Sequence, residues 1–170
     1  MNKNNISVNK ETNEFIAERV FDAPRTRLWD AFADPKKLAQ WWGPIGWETT
    51  IKTFEFQPQG TWLYGMKCID ENQGEFFGQE SWGKAVFNEI DEPEKIVYRD
   101  SFADADGSIN DSMPTGISTL EFHDEGGGTR VVSRTKYDKP DELQTVMDMG
   151  MEQGFSQTWD RLAEFVENEK

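Results

Sequence analysis

The chain has 170 residues, of which 18 are basic and 32 are acidic, for a net charge of −14. This length suits a single domain and is too short for a typical (β/α)₈ barrel. The excess of acid argues against general nucleic-acid binding and against docking on anionic membranes, because both require a basic face. Aromatic residues make up 13% of the chain, which supplies enough large apolar side chains for a sizeable core.

The N-terminal half begins with a predicted strand and two short helices. Glu14–Phe21 alternates apolar and polar residues, as a half-buried strand does. A first helix is predicted to begin after Pro24, because proline favours the first turn of a helix. A second short helix is predicted to begin at Pro35 and to end before Gly43.

Six further strands follow, since the apolar pattern has period two from residue 47 to residue 137. Short turn-forming clusters separate them, and such short connections predict antiparallel neighbours. The predicted strands are Trp47–Phe56, Thr61–Cys68, Glu75–Ile90, Lys95–Phe102, Gly116–His123 and Thr129–Tyr137.

The longest helical pattern lies at the C-terminus. From Pro140 onward, apolar residues recur at steps of three and four. The pattern predicts about 27 residues of continuous helix, on the order of 40 Å long, which is enough to lie across a curved sheet. Within it, Gly150 and Gly154 indicate either close packing of the helix on the sheet or space left beside Met147, Met151 and Phe155.

The order of these elements predicts the architecture. One antiparallel sheet has one apolar face to bury, and the long C-terminal helix is its obvious cover. We therefore predict an α+β fold in which a curved antiparallel sheet of six to seven strands wraps around the long helix, with two short helices after the first strand. A strongly twisted sheet around a helix leaves a tapering space, so an internal cavity is expected.

Composition also bears on the cellular compartment of the protein and on its metals and cofactors. Cys68 is the only cysteine, which excludes an internal disulfide and a cysteine-based zinc site. No apolar run approaches the roughly 20 residues that span a bilayer, and residues 1–10 lack the apolar segment of a signal peptide. We expect a cytoplasmic protein without metal or cofactor. Residues 1–12 are expected to be a frayed tail ahead of a single domain at 13–170.

Four stretches resemble a known family: Trp41-Trp42-Gly43-Pro44, Glu55–Trp62, Asn88–Val97 and Met151–Leu162. From about residue 14 to residue 167 the chain is similar to the activator of heat-shock protein 90 ATPase homologue family, within the START-like (SRPBCC) helix-grip superfamily. The resemblance implies a helix-grip fold. The chain departs from the family pattern at Gln59, where glycine is usual, and at Phe155, where tryptophan is usual.

The inward faces of the predicted strands combine aromatic residues with hydroxyls and one acid. Unpartnered hydroxyls are costly in a dry core, so this mixture indicates a cavity that holds water or a ligand of mixed polarity. The alternative interpretation is that some of these strands have the opposite register or carry a bulge that flips the face midway. The predicted ligand-binding residues are Trp42, Trp62, Tyr64, Met66, Tyr98, Asp100, Phe102, Leu120, Thr135, Met147, Met151 and Phe155.

Three functions stay open at this point. The first is non-catalytic binding of a small apolar or lipid-like molecule. The second is a protein-interaction module that engages a chaperone or stress partner through an acidic face, since residues 86–170 carry 20 acidic against 8 basic groups. The third is a cavity-based enzyme of the cyclase or hydrolase type that the superfamily includes, for which Asp100 beside Tyr98 is the only acid–base candidate.

The resemblance bears on the partners. The family's eukaryotic co-chaperones carry a separate N-terminal domain for chaperone engagement, and 170 residues leave no room for one. We expect a monomer or a homodimer, with no nucleic-acid partner and no membrane partner. No catalytic or metal-binding residue is predicted.

Overall fold

A computed structural model describes residues 3–168, which form eight strands, four α-helices and a 3₁₀ helix at Glu71–Phe76. The strands are β1 (Asn5–Asn9), β2 (Glu14–Phe21), β3 (Trp47–Phe54), β4 (Thr61–Cys68), β5 (Glu80–Asp91), β6 (Lys95–Ala103), β7 (Thr115–Glu125) and β8 (Gly128–Lys136). The helices are α1 (Arg25–Ala33), α2 (Pro35–Trp41), α3 (Pro140–Asp148) and α4 (Met151–Asn168).

All the strands belong to one antiparallel sheet, in the order β1-β2-β8-β7-β6-β5-β4-β3. Helix α4 lies on the face that carries the buried aromatic residues. The ring of Trp159 on α4 meets Phe21 on β2 edge-on, with ring centroids 5.6 Å apart, and Phe155 meets Phe15 at 5.3 Å. Edge-to-face contacts of this kind stabilise a core beyond the burial of area alone. The predicted helix-grip fold is therefore confirmed.

Strand β1 is the strand that the sequence pattern missed. Residues 1–12 were expected to be a frayed tail, but Asn5–Asn9 pair with β2 along their whole length. Ile6 and Val8 pack against the core, so two alternating apolar residues suffice once a neighbouring strand is in place. The Asn4 amide donates to the backbone oxygen of Ser156 at 3.1 Å, which ties this strand to α4. The sheet thus has eight strands rather than six or seven.

The strand predicted at Glu75–Ile90 begins five residues late, at Glu80. The 3₁₀ helix precedes it because the Asp70 carboxylate accepts a hydrogen bond from the backbone N–H of Asn72 at 3.0 Å. Such a local hydrogen bond offers the backbone an alternative to the strand ladder. Gly74 then adopts a φ of 62°, which a strand does not permit.

The long C-terminal helix is broken into α3 and α4. Gly150 lies between them with a φ of 87°, in the left-handed region that favours glycine. The apolar pattern stays nearly in phase across the break, so periodicity predicted one continuous helix. A Cβ at Gly154 would meet no atom within 4 Å, which shows that the interpretation of this pair as close helix–sheet packing is wrong.

The two glycines should respond oppositely to alanine. Gly150→Ala is expected to lower the free energy of unfolding by about 1 kcal/mol, because alanine must adopt a positive φ there. Gly154→Ala is expected to raise it by about 0.5–1 kcal/mol, because alanine favours a helix interior and finds open space. Urea denaturation of both variants measures this, and changes of the same sign would contradict the helix break.

Candidate ligand-binding cavity

A cavity of about 350 Å³ lies between the sheet and the helices, beside the break between α3 and α4. On the helical side it is lined by Trp42, Val146, Met149, Gly150, Met151 and Phe155. Met149 is 57% exposed, which places the mouth of the cavity near the break. The volume is at the lower end of the range of about 300–1,000 Å³ that small-molecule pockets show.

Most of the predicted site residues meet at this cavity. Those that line it are Trp42, Tyr64, Met66, Tyr98, Asp100, Phe102, Thr135, Met151 and Phe155. The structure places three others elsewhere. Trp62 and Leu120 are buried in the core, and Met147 packs against it on the turn of α3 before the break. They follow the same periodicity as the lining residues, so the sequence pattern alone did not separate core from cavity.

Small residues are paired with Asp100 and Tyr64 across the sheet. Asp100 on β6 is paired with Ala85 on one neighbouring strand and with Gly116 on the other, so its direct cross-strand partners are small. Tyr64 is paired with Gly83, and its ring lies over that glycine. A Cβ on Gly83 would be only 2.4 Å from the Tyr64 hydroxyl oxygen. Gly83 and Gly116 both line the cavity, and a sequence pattern of side chains does not reveal them because glycine has none.

Asp100 and Tyr64 form the polar centre of the cavity. The Tyr64 hydroxyl donates to the carboxylate of Asp100, with distances of 3.1 Å to Oδ1 and 3.0 Å to Oδ2. Burial disfavours the charged form and raises the pKa of Asp100 to about 7, although the hydrogen bond from Tyr64 acts in the opposite direction. Burial, together with the charge of Asp100, raises the pKa of Tyr64 well above its usual value. Asp100 is therefore near its titration point at neutral pH.

The inward hydroxyls form pairs beside Asp100. Ser118 and Thr135 lie opposite each other on β7 and β8, and their side-chain oxygens are 2.8 Å apart. Mutual pairing thus accounts for hydroxyls that the sequence analysis assigned to water or ligand. Burial raises the pKa of both Tyr98 and Tyr137, so these rings stay neutral across the physiological range.

Trp42 lines one side of the cavity, and the turn that carries it is held in place by Arg161 of α4. The Arg161 guanidinium donates to four backbone oxygens just after α2: Trp42 at 3.4 Å, Gly43 at 2.8 Å, Pro44 at 3.2 Å and Trp47 at 3.3 Å. It also reaches the backbone oxygen of Gln40 at 3.0 Å. Arg161 thereby fixes the turn that carries Trp42. Sequence analysis missed it, because an arginine on a helix is typical of a solvated surface.

The three neighbouring tryptophans have different roles. Trp41 is fully buried, and its indole N–H donates to the backbone oxygen of Ala31 at 3.0 Å, which anchors α2 to α1. The indole N–H of Trp47 donates to the Gln73 side chain at 3.2 Å, beside the 3₁₀ helix. Only Trp42 faces the cavity. Trp41 and Trp47 thus hold the neighbouring elements together, and Trp42 contributes to the cavity.

Other reactive groups within residues 3–168 do not form a second site. Cys68 is buried, and His123 is exposed beside Glu121 at 3.8 Å. No group of three or more His, Cys, Asp or Glu side chains in the described part of the chain is arranged to hold a metal ion. Within the same residues, no helix is long and apolar enough to cross a membrane.

Solved structures share this fold over nearly the whole chain. Protein Ms6760 from Mycobacterium smegmatis is 27% identical, with a TM-score of 0.86 over 98% of this chain and 98% of that chain. A protein from Arthrobacter aurescens is 26% identical, with a TM-score of 0.87 over 97% of this chain and 92% of its own. A protein from Staphylococcus epidermidis is 27% identical, with a TM-score of 0.78 over 95% and 93%.

Family comparison agrees with the motifs. No curated protein matches the chain significantly. The family model described as Activator of Hsp90 ATPase homolog 1-like protein matches residues 22–167, which include α1 to β8 and most of α4. Because this match covers far more than half of the chain, the protein belongs to the family of Activator of Hsp90 ATPase homolog 1-like proteins.

Proposed function

We propose that the protein binds a small, largely apolar molecule in the cavity between the sheet and the α3–α4 break. The observation that carries this proposal is the cavity itself, about 350 Å³ in volume, with aromatic and methionine walls around one polar pair. Removing an apolar ligand from water supplies the driving force, and a few polar groups orient it. Asp100 and Tyr64 are the groups placed to do so.

The methionines support a ligand of adaptable shape. Met66 lies on the sheet side, and Met149 and Met151 flank Gly150 on the helical side. Methionine is unbranched and polarisable, so it fits varied apolar surfaces at little cost. The break at Gly150 places Met149 at the mouth of the cavity. A ligand would therefore enter past a flexible side chain rather than a rigid wall.

The proposal is tested by filling the cavity. Met151→Trp places an indole in the cavity and is expected to abolish binding. Met147→Trp is the matched control, because Met147 lies four residues earlier and packs on the core instead. The purified protein and both variants are examined by native mass spectrometry for bound molecules, and by thermal shift against a panel of apolar metabolites.

We expect a bound or stabilising molecule for the original chain and for folded Met147→Trp, and none for Met151→Trp. Circular dichroism checks that each variant is folded. Absence of any bound or stabilising molecule from the original chain would contradict the proposal, as would unchanged binding by a folded Met151→Trp variant.

A second candidate, a cavity-based enzyme, is favoured by Asp100. A pKa of about 7 suits a group that both accepts and releases a proton at neutral pH. If the protein converts its ligand, mass spectrometry of the incubated mixture will show a new product, and Asp100→Asn will stop its formation while the ligand still binds. An unchanged ligand after prolonged incubation would contradict this candidate.

Two further expectations stay predictions. A chaperone partner is suggested by the family description and by the acidic second half of the chain, where 20 acidic groups outnumber 8 basic ones. A cytoplasmic location is expected from the single cysteine, since disulfides are rare in a reducing compartment.

A further inference from the structure

Asp100 is the only charged side chain among the residues that line the cavity. None of the lysines, arginines or histidines in the described part of the chain lines it. The other titratable groups that face Asp100 are Tyr64, Tyr98 and Tyr137, and each has a raised pKa and stays neutral. When Asp100 is ionised, the cavity thus carries a single negative charge, and no positive group among residues 3–168 lines it to compensate for that charge.

The carboxylate of Asp100 has unused hydrogen-bonding capacity. Among residues 3–168 its hydrogen-bond donor is the Tyr64 hydroxyl, which approaches both oxygens. A carboxylate has about four acceptor positions. Its cross-strand partners Ala85 and Gly116 are small, and Asp100 is part of the cavity lining, so the carboxylate can be reached from the cavity. The Asp100 carboxylate is partly shielded from water, and a hydrogen-bond donor of a ligand can reach it from the cavity.

Aromatic rings surround this charge. Trp42 meets Tyr64 edge-on with ring centroids 5.6 Å apart, and Tyr98, Tyr137 and Phe155 complete the wall. The faces of aromatic rings attract cations, and they do so more strongly where water is excluded. A carboxylate within such a wall suits an ammonium ion, whereas an anionic head group would meet repulsion there.

We propose that the ligand of this cavity is an organic ammonium ion, with its charged nitrogen on the Asp100 carboxylate and its apolar body among the aromatic and methionine walls. This inference rests on the proposed function and specifies the chemical class of the ligand. The cation would supply the compensating charge that Asp100 lacks. The net charge of −14 on the whole chain would draw cations toward the mouth.

The test compares three probes that share one apolar body: phenylpropylamine, phenylpropanol and phenylpropanoate. Binding to the full chain is measured by isothermal titration at pH 8, where Asp100 is mostly ionised and an alkylammonium with a pKa of about 10 keeps its charge. We expect the amine to bind about tenfold more tightly than the alcohol, since a charge-assisted hydrogen bond is stronger than a neutral one. The carboxylate probe should bind most weakly.

Asp100→Asn keeps the shape of the side chain and removes its charge. In this variant the preference for the amine over the alcohol is expected to fall to within about twofold. Asp22→Asn is the matched control, because it removes the same charge from an exposed position outside the cavity and should keep the preference. A preference lost in both variants would assign the effect to overall charge and overturn the inference.

The outcomes separate this inference from the proposed function. If the purified protein carries a neutral or anionic molecule, or if the alcohol binds as tightly as the amine, the ammonium inference fails and the cavity remains a binding site. Retention of the amine preference by Asp100→Asn overturns the inference as well. If no probe binds and the protein carries no molecule, both proposals fail.

Discussion

Asp100→Asn is expected to make the protein more stable at pH 8, even though it removes the polar centre of the cavity. The folded-state pKa of Asp100 is about 7, against an ordinary value of 3.8. The contribution of its proton to stability is thus fully present below about pH 4 and is lost as the pH rises through 7. Asparagine carries no charge at any pH and avoids this loss.

The size of the effect follows from the pKa. A shift from 3.8 to about 7 corresponds to an upper limit of about 4 kcal/mol, at about 1.4 kcal/mol for each pKa unit. Asp100 is half-buried, so partial solvation reduces this, and we expect a gain of about 1–3 kcal/mol at pH 8. The gain should grow between about pH 4 and pH 7 and then level off.

Urea denaturation at several pH values measures this gain. Asp22→Asn controls for the loss of one negative charge and should change stability by less than about 0.5 kcal/mol at every pH. A destabilisation by Asp100→Asn that is equal at pH 5.5 and pH 8 would contradict the desolvated carboxylate. If replacing Asp100 stabilises the fold, then Asp100 does not serve stability, and ligand binding is the role proposed for it above.

Arg161→Met is expected to lower the free energy of unfolding by about 3 kcal/mol. Methionine keeps the apolar stem but removes the donors that serve five backbone oxygens around α2 and β3. A buried acceptor left without its partner costs about 1–3 kcal/mol, although water reaches some of these oxygens in the variant. Arg161→Lys should recover only part of the loss, because a compact ammonium cannot span the same set.

Arg27→Met is the matched control for Arg161→Met. Within residues 3–168, Arg27 donates to one backbone oxygen, that of Val166 at 3.0 Å, so its replacement should cost about 1 kcal/mol. Chemical denaturation of the three variants gives the comparison. Equal losses for Arg161→Met and Arg27→Met would show that the turn carrying Trp42 holds its conformation without Arg161.

Apolar and polar residues alternate in the strands with a period of two, and this alternation explains which site residues could be predicted from the sequence. Tyr64, Tyr98 and Asp100 face the same side because successive strand residues alternate, and this was predicted from the sequence. The break at Gly150 was not, because helical periodicity continues across it. Gly83 and Gly116 shape the cavity because they have no side chain. Their effect depends on a register that pairs them with Tyr64 and Asp100, and a single strand does not reveal that register.

Strand β1 and Arg161 escaped prediction for a different reason. β1 is short and carries only two inward apolar residues, so its alternation of apolar and polar residues is too brief to predict a strand. Arg161 follows Asp160 and precedes Glu164 by three residues, a spacing of charges that is typical of a solvated helix face. The contact of Asn4 with Ser156 and those of Arg161 with the turn after α2 join segments more than one hundred residues apart, and local patterns carry no information about such contacts.

The pairing of β2 with β8 also determines how the chain can fold. Phe15 and Thr135 are register partners although most of the chain lies between them, and Arg19 forms an ion pair with Asp160 at 2.8 Å. Closing a loop of this length costs entropy before any contact compensates for it, so folding is expected on the millisecond-to-second scale of non-local β proteins. During synthesis, the edge of β2 that later pairs with β8 stays unpaired until β8 and α4 have left the ribosome.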